Sequence, residues 1–187
     1  MNYYIGKITS WLKDGSSHTA DILTILGMAG IGKTSLAKYV FGLHCREFER
    51  SSFIGDISKK CVEQFNGLLE LQRQICGDIS KTRSIQVHDV SFYTSQIENA
   101  LARKKVILVL DGVDSLDHLE ALLGKRSFHP GSKIIITTKD VSLVSNYVQL
   151  SNPIVQPKHT MILLKGLAEW EDNIERLKEE TDSRITK

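Results

Sequence analysis

Four residues in the first fifth of the chain, Gly27, Gly32, Lys33 and Thr34, occupy the fixed positions of the pattern G-x-x-x-x-G-K-[ST]. A glycine-rich turn can direct successive backbone N–H groups into one concavity, because glycine accepts backbone angles that other residues avoid. The positive end of a helix behind such a turn adds to the attraction for phosphate oxygens. The pattern therefore predicts a phosphate-binding loop. The residues predicted to contact a nucleotide there are Gly27, Met28, Ala29, Gly30, Ile31, Gly32, Lys33, Thr34 and Ser35.

Two residues of this loop carry the chemistry that a polyphosphate requires. We expect the ammonium group of Lys33 to bridge the outer phosphates and the hydroxyl of Thr34 to bind Mg²⁺. The apolar stretch 21–26 before the loop predicts a buried strand, and the spacing of apolar residues over 35–44 predicts a helix. A glycine-rich turn without a ligand is the alternative, but strand, loop and helix in this order favour phosphate binding.

A second candidate is Asp111, which ends the apolar run 106–110. Leucine and β-branched residues in a row predict a strand that is buried on both faces, as in a parallel sheet. An aspartate at the end of such a strand is the second element of the magnesium site in phosphate-loop proteins. Asp111 is thus the candidate metal ligand and catalytic residue; the alternative is an ordinary Asp-Gly turn.

A third candidate pair, Thr138 and Lys139, lies at the end of the predicted strand 133–138. Ligands of open parallel sheets bind at the carboxyl ends of the strands. We therefore predict that Thr138 and Lys139 contact the γ-phosphate. From spacing alone, a polar strand end without a ligand explains these residues equally well.

The elements that would position these residues alternate along the chain, which is typical of a doubly wound parallel sheet with helices on both faces. A helical lead-in is predicted over 1–19, a core domain over 20–167 and a charged amphipathic helical tail over 168–187. The predicted strands are 21–26, 50–57, 106–111, 133–138 and 161–164. The predicted helices are 1–14, 35–44, 63–78, 90–101, 114–123 and 141–147, with surface loops at 80–89 and 151–157.

Composition narrows the class of protein. The chain has 187 residues, of which 41% are hydrophobic, and this favours a folded α/β domain over disorder. The net charge of +2 indicates neither a nucleic-acid nor a membrane-surface partner. Three cysteines without C-x-x-C spacing indicate reduced thiols in a cytoplasmic protein. We find no signal peptide, no apolar run long enough for a membrane span and no Cys/His cluster.

Four stretches in a fixed order resemble one family, the NB-ARC nucleotide-binding domain of plant intracellular disease-resistance receptors. They are GMAGIGKTS at 27–35, FERSSF at 48–53, KVILVLDGVD at 105–114 and GSKIIITTKD at 131–140. Asp114 stands where many branches of the family carry tryptophan, and this resembles the branch with an N-terminal TIR domain. Four ordered blocks make the resemblance specific, and it extends over most of the predicted core domain.

The resemblance implies a three-layer P-loop NTPase of the STAND type, in which ADP holds the receptor off and exchange for ATP turns it on. It implies that Lys33 binds phosphate, that Thr34 and Asp111 hold Mg²⁺, and that Lys139 replaces an arginine that senses the γ-phosphate. Lys139 keeps the charge of that arginine but lacks its planar fork.

Other departures from the family pattern limit what we expect. Gly112 stands where a second acid, a candidate to activate water, is usual, so we expect little hydrolysis. The family's Gly-Leu-Pro and Met-His-Asp segments are missing, while AEWED at 168–172 resembles a region that normally follows Gly-Leu-Pro. We therefore interpret the chain as a truncated product or fragment of such a receptor.

Three functions remain in competition at this point. The first is a switch domain that binds ADP or ATP with Mg²⁺ and hydrolyses little. The second is an active P-loop ATPase or small-molecule kinase. The third is an interaction fragment that binds no nucleotide and docks onto a full-length receptor through the apolar stripe around Trp170. A GTPase is disfavoured, since no Lys-x-Asp guanine motif follows the fourth predicted strand.

Overall fold

The computed structural model describes residues 1–15, 19–80, 88–150 and 157–164. Its strands are β1 (Asp21–Leu26), β2 (Arg50–Ile54), β3 (Val106–Val113), β4 (Lys133–Thr138) and β5 (Lys158–Leu163). Its helices are α1 (Asn2–Lys13), α2 (Lys33–His44), α3 (Ile57–Glu63), α4 (Gly67–Ser80), α5 (Val90–Arg103), α6 (Leu116–Leu123) and α7 (Leu143–Leu150), with a short 3₁₀ turn at Cys45–Glu47.

The five strands form one sheet in the order β2-β3-β4-β1-β5, and every neighbouring pair is parallel. Three central strands are almost continuously apolar and buried, as parallel strands covered on both faces must be. The predicted parallel sheet of five strands is therefore confirmed. Its carboxyl edge collects the ends of β1, β3 and β4, the strands that the candidate residues follow.

Two separate apolar clusters cover the two faces of the sheet and make the protein three-layered. One face packs against α3 to α7, and the other packs against α1 and α2. Alternate residues of one strand belong to different clusters; Ile22 lies in the first and Leu23 in the second. Most buried polar side chains of the central strands lie near the strand ends: Asp21 and Lys133 at the amino edge, and Asp111, Thr137 and Thr138 toward the carboxyl edge.

Strand β3 contains one extra residue where it reaches the carboxyl edge. Leu110 pairs with Ile136 while Val113 pairs with Thr138, so three steps along β3 match two steps along β4. This β-bulge includes Gly112, whose φ of 75° lies in the left-handed region that favours glycine. The strand thus continues two residues past the predicted end at Asp111.

The predicted second strand, 50–57, is wrong in its last residues. Strand β2 ends at Ile54, Asp56 adopts a left-handed conformation with φ 56°, and Ile57 begins helix α3. The pattern missed this helix because it has seven residues and a single buried side chain, so it shows no apolar periodicity. The helix predicted over 63–78 begins later, at Gly67, and Phe65 before it is fully exposed.

Capping side chains explain smaller differences at the helix ends. The helix predicted over 114–123 begins at Leu116, because Ser115 is the N-cap of α6 and its hydroxyl accepts a hydrogen bond from the Asp117 backbone N–H at 3.2 Å. Helix α7 begins at Leu143, two residues later than predicted. The Asp140 carboxylate just before it accepts from the backbone N–H and the hydroxyl of Ser142.

The predicted tail, 168–187, lies outside the described residues, as do most of the two predicted surface loops. Among the helices that the structure describes, none has both the length and the apolar character needed to cross a bilayer.

Candidate functional site

The predicted phosphate loop connects the end of β1 to the start of α2 at the carboxyl edge of the sheet. Gly30 (φ 76°) and Gly32 (φ 98°) adopt left-handed conformations, which explains why glycine is needed at both positions. Gly32 is the N-cap of α2, and its carbonyl accepts the first helical hydrogen bond, from Leu36, at 2.9 Å. The positive end of α2 therefore lies directly behind the loop.

Most of the loop is accessible. Met28, Ala29 and Gly30 are exposed, and Met28 has 73% of its surface open. Ser35, in the first turn of α2, is exposed as well, and Ile31 is half-buried. An apolar methionine kept in solvent at the tip of a loop gives the fold no packing energy, so this tip is free to contact a ligand.

The first glycine of the loop is instead tightly packed. A Cβ atom at Gly27 would come within 3.0 Å of Ile31 Cγ2 and 3.2 Å of the Leu164 carbonyl oxygen. The Leu164 backbone N–H in turn donates to the Leu26 carbonyl at 2.8 Å. Gly27 is therefore glycine because the chain leaving β5 passes directly against it.

The Lys33 ammonium group faces its own loop. Its Nζ donates to the carbonyl oxygens of Gly27 at 2.6 Å and Met28 at 2.7 Å. Burial and the positive charge of Lys139 lower the pKa of Lys33, and the negative charge of Asp111 opposes this only in part. The negative charge near Lys33 is therefore too weak to offset burial and the repulsion by Lys139.

Thr34 and Asp111, the predicted magnesium pair, are in direct contact. The Thr34 hydroxyl lies 2.9 and 3.0 Å from the two carboxylate oxygens of Asp111. The Thr137 hydroxyl donates to Asp111 Oδ1 at 2.6 Å and accepts from the Gly112 backbone N–H at 2.9 Å. Asp111 is 2% exposed, so neighbours from β4 and α2 hold its carboxylate in one orientation.

A cavity of about 360 Å³ extends from Lys33 along the carboxyl edge. Thr138, the last residue of β4, and Lys139, which follows it, line this cavity. The Thr138 hydroxyl accepts the Asp140 backbone N–H at 3.0 Å, and the Lys139 side chain borders the same space as the Lys33 side chain. The other lining residues are Asp56, Ser58, Lys59, Gly112, Val113, Asp114 and Asp140.

Two parts of this site escaped the sequence patterns. Thr137 reads as one more residue of a buried strand, and its role depends on the bulge in β3, which local sequence does not reveal. The α3 residues Ser58 and Lys59 reach the cavity from a helix that the pattern did not predict. The left-handed Asp56 before α3 was read as part of a strand.

The oxygen donors at Thr34 and Asp111 fit a magnesium ion. Mg²⁺ prefers hard oxygen ligands and is usually bound by one or two carboxylates together with phosphate oxygens and water. Among the described residues, no group of three or more His, Cys, Asp or Glu side chains forms a metal site by itself. Thr34 and Asp111 would supply protein oxygen ligands of the kind that Mg²⁺ takes beside phosphate and water.

The strand order, the glycine loop between β1 and α2, and an aspartate at the end of β3 define the class of protein as a P-loop NTPase fold. A solved structure of Cdc6p from Pyrobaculum aerophilum matches 87% of this chain and 44% of that chain, with a TM-score of 0.56 at 16% sequence identity. At that identity the likeness is one of fold alone.

The chain belongs to the NB-ARC domain family, whose pattern matches residues 1–167. Two similar proteins are Disease resistance protein LAZ5 of Arabidopsis thaliana, 36% identical over 126 residues, and Disease resistance protein RPV1 of Vitis rotundifolia, 40% identical over 118 residues. The matches cover 67% and 62% of this chain but only 11% and 8% of those proteins, so the chain spans a small part of their length. The resemblance stated from the four sequence blocks is therefore confirmed.

Proposed function

We propose that this domain binds ADP or ATP together with Mg²⁺ and acts as the nucleotide-dependent switch of an intracellular plant immune receptor. The observation that carries the proposal is the contact between the Thr34 hydroxyl and the Asp111 carboxylate. It joins the start of the helix behind the glycine loop to the end of β3, the two places from which P-loop proteins hold a nucleotide-bound magnesium ion.

Each residue has a physical role in this proposal. The loop amides and the start of α2 would attract the phosphate oxygens, and Lys33 would exchange its loop carbonyls for a phosphate. Bound Mg²⁺ would neutralise phosphate charge. Thr34 and Asp111 would hold the ion, and Thr137 would keep the Asp111 carboxylate in place. Of the loop, Gly27 supports the shape by packing, while Gly30 and Gly32 supply backbone angles.

We further propose that this domain binds and exchanges nucleotide but hydrolyses it slowly. Gly112 has no side chain to activate a water molecule, and its N–H is already bonded to the Thr137 hydroxyl at 2.9 Å. General base catalysis typically contributes about 10²–10⁴-fold to a rate. A site without the base would therefore retain bound ATP long enough to signal.

The experiment that tests binding identifies the nucleotide that co-purifies with the protein and then measures thermal unfolding with added Mg-ADP. At a hundredfold excess over Kd, binding stabilises the folded state by about 2.7 kcal/mol. Lys33→Ala should lose this shift, and Mg-GDP should produce a smaller one. No shift of the wild type at millimolar adenine nucleotide, or an equal shift in Lys33→Ala, would refute nucleotide binding.

A phosphate-release assay separates the switch from an active ATPase or kinase. We expect turnover near the background rate in the wild type. If phosphate release is rapid and is lost in Asp111→Ala, the domain is an enzyme and the slow-hydrolysis proposal is wrong.

The partner and the location follow from the same proposal. We propose that the domain works in the cytoplasm and that other domains of a disease-resistance receptor, within one chain or in another copy, respond to its nucleotide state. The alternative docking surface around Trp170 lies outside the described residues. Co-precipitation with a full-length receptor that survives Lys33→Ala but is lost in Trp170→Ala would favour docking over switching.

A further inference from the structure

The cavity beside Lys33 has a wall that the family resemblance does not explain. In the sheet order β2-β3-β4-β1, the phosphate loop follows β1, Lys139 follows β4, and α3 follows β2. The cavity is lined by Lys33, Lys139 and the α3 residue Lys59, so it crosses the carboxyl edge from the loop to the far side of β3. Apart from Lys33, it contains no residue of the glycine loop.

The carboxylates and the lysines that line this cavity differ in the partners that they have. Asp114 accepts a hydrogen bond from the Ser58 hydroxyl, and its other oxygen lies 3.4 Å from His118 Nδ1. The Asp140 carboxylate accepts from both the backbone N–H and the hydroxyl of Ser142. The third lining carboxylate, Asp56, is exposed. No ion pair among the described residues includes Lys33, Lys59 or Lys139, although Lys33 donates to two carbonyl oxygens of its own loop.

Helix α3 is held firmly enough to present Lys59 at a defined place. Ile57 is fully buried in the core, and the Ser58 hydroxyl is bonded to the Asp114 carboxylate at the end of β3. The start of α4 also packs tightly on this helix, since a Cβ atom at Gly67 would lie 2.1 Å from the Lys60 carbonyl oxygen. Lys59 is itself exposed, so its ammonium group can move to meet an anion.

We propose that Lys59 supplies a second cation to the subsite for the terminal phosphate of a nucleoside triphosphate, at which the family resemblance already places Lys139. This inference rests on the proposed nucleotide binding. The loop and Lys33 would contact the phosphates that ADP and ATP share. The additional phosphate of ATP would extend into the cavity, between a cation that follows β4 and a cation on α3. Lys59 is then a residue that distinguishes ATP from ADP.

The test compares two nucleotides and two lysines. Dissociation constants for Mg-ADP and for the slowly hydrolysed analogue Mg-ATPγS are measured by calorimetry on the wild type, Lys59→Ala and Lys60→Ala. Lys60 is the matched control, since it is the next residue of α3 but does not line the cavity. We expect Lys59→Ala to bind ATPγS about tenfold more weakly, as for the loss of one charge-assisted hydrogen bond, with ADP affinity unchanged. Lys60→Ala should behave as the wild type does.

Further variants exclude a general effect on folding. Lys59→Gln should reproduce the loss for ATPγS, Lys59→Arg should retain much of the affinity, and both should unfold like the wild type without nucleotide. If the wild type binds both nucleotides but Lys59→Ala changes their affinities equally or not at all, the subsite is wrong while the proposed function stands. If the wild type binds neither nucleotide, the proposed function and this subsite fail together.

Discussion

Two lysines at opposite edges of the same sheet have opposite surroundings. Lys133 begins β4 at the amino edge and is 3% exposed. Its ammonium group donates to the carbonyls of Trp11 and Asp14 at 3.0 Å each and to the Asp21 carboxylate, and it lies 4.8 Å from the centre of the Trp11 ring. Lys33, at the carboxyl edge, has two carbonyls of its own loop and no carboxylate partner among the described residues.

The difference separates a charge with a structural role from one that the proposed nucleotide binding would use. The acceptors around Lys133 belong to helix α1 and strand β1, so this cation fastens the N-terminal helix to the sheet. At the carboxyl edge, Lys33 and Lys139 border the same cavity, and their like charges oppose each other. A folded domain tolerates such unfavourable electrostatics mainly where a ligand relieves them.

The largest expected effect on stability is that of Lys133→Met. This substitution would leave the buried Asp21 carboxylate unpaired, and its Oδ1 already lacks a hydrogen-bond partner. Breaking a buried ion pair in this way costs about 3–5 kcal/mol. Urea unfolding at pH 7 measures the loss. Lys158→Met is the control, because its pair with Asp14 is half-exposed and 3.6 Å long, and such pairs contribute about 0–1 kcal/mol. Equal losses in the two variants would contradict the structural role of Lys133.

The same substitution at the other edge, Lys33→Met, should change stability little without nucleotide but should remove the stabilisation by nucleotide. Without nucleotide, we expect its free energy of unfolding to stay within about 1 kcal/mol of the wild type, as for most surface changes. With Mg-ADP at a hundredfold excess over the wild-type Kd, it should lack the stabilisation of about 2.7 kcal/mol. Unfolding curves with and without nucleotide measure both quantities. A large loss without nucleotide would make Lys33 structural and remove the contrast with Lys133.

Two glycine substitutions compare the backbone of the glycine loop with that of helix α2. Gly30 has no atom within 4 Å of an added Cβ, but its φ of 76° strains any other residue, so Gly30→Ala should destabilise by about 1–2 kcal/mol. Gly42 has equally open space inside α2, and Gly42→Ala should stabilise by about 0.5–1 kcal/mol. Thermal unfolding gives both signs. Stabilisation by Gly30→Ala would show that the loop does not require its left-handed angle.

The smallest expected effect is the change in the free energy of unfolding that accompanies the titration of Lys33. Its pKa is lowered from 10.5, first by burial and then by Lys139, so the unfolded state binds this proton more tightly than the folded state. Without nucleotide, raising the pH through the lowered pKa to 10.5 should therefore stabilise the wild type relative to Lys33→Met. The thiol of Cys76, whose pKa burial raises to about 11, titrates in both proteins and cancels. The free energy of unfolding of Lys139→Met should rise less over the same pH range, because one of the causes that lower the Lys33 pKa is removed. If the wild type instead loses stability relative to Lys33→Met as the pH rises, the sign of the pKa shift is wrong.

Sequence patterns predicted the parts of the fold that rest on continuous apolar runs. The stretches that became β1, β3 and β4 are buried on both faces, and their composition alone indicates strands of a parallel sheet. The glycine loop was equally predictable, since its residue types are dictated by backbone angles at Gly30 and Gly32. The resulting placement of Thr34 beside Asp111 follows from parallel strands that end at one edge.

The rest depended on contacts between residues distant in the chain. Helix α3 buries Ile57 and little else, so it has no apolar face to detect. The bulge in β3 arises from its pairing with β4, and only that pairing brings Thr137 against Asp111 and Gly112. The assignment of the loop residues, Thr138 and Lys139 to nucleotide contacts stays a prediction.

The close approach of Leu164 to Gly27 connects the edge strand β5 to the glycine loop. Among the described residues, β5 pairs only with β1, which places it at the edge of the sheet. Here, the chain that leaves β5 abuts the first residue of the glycine turn, 3.2 Å from where a methyl group would stand. A displacement of Leu164 would therefore reach Gly27 directly, which couples the end of β5 to the shape of the glycine loop.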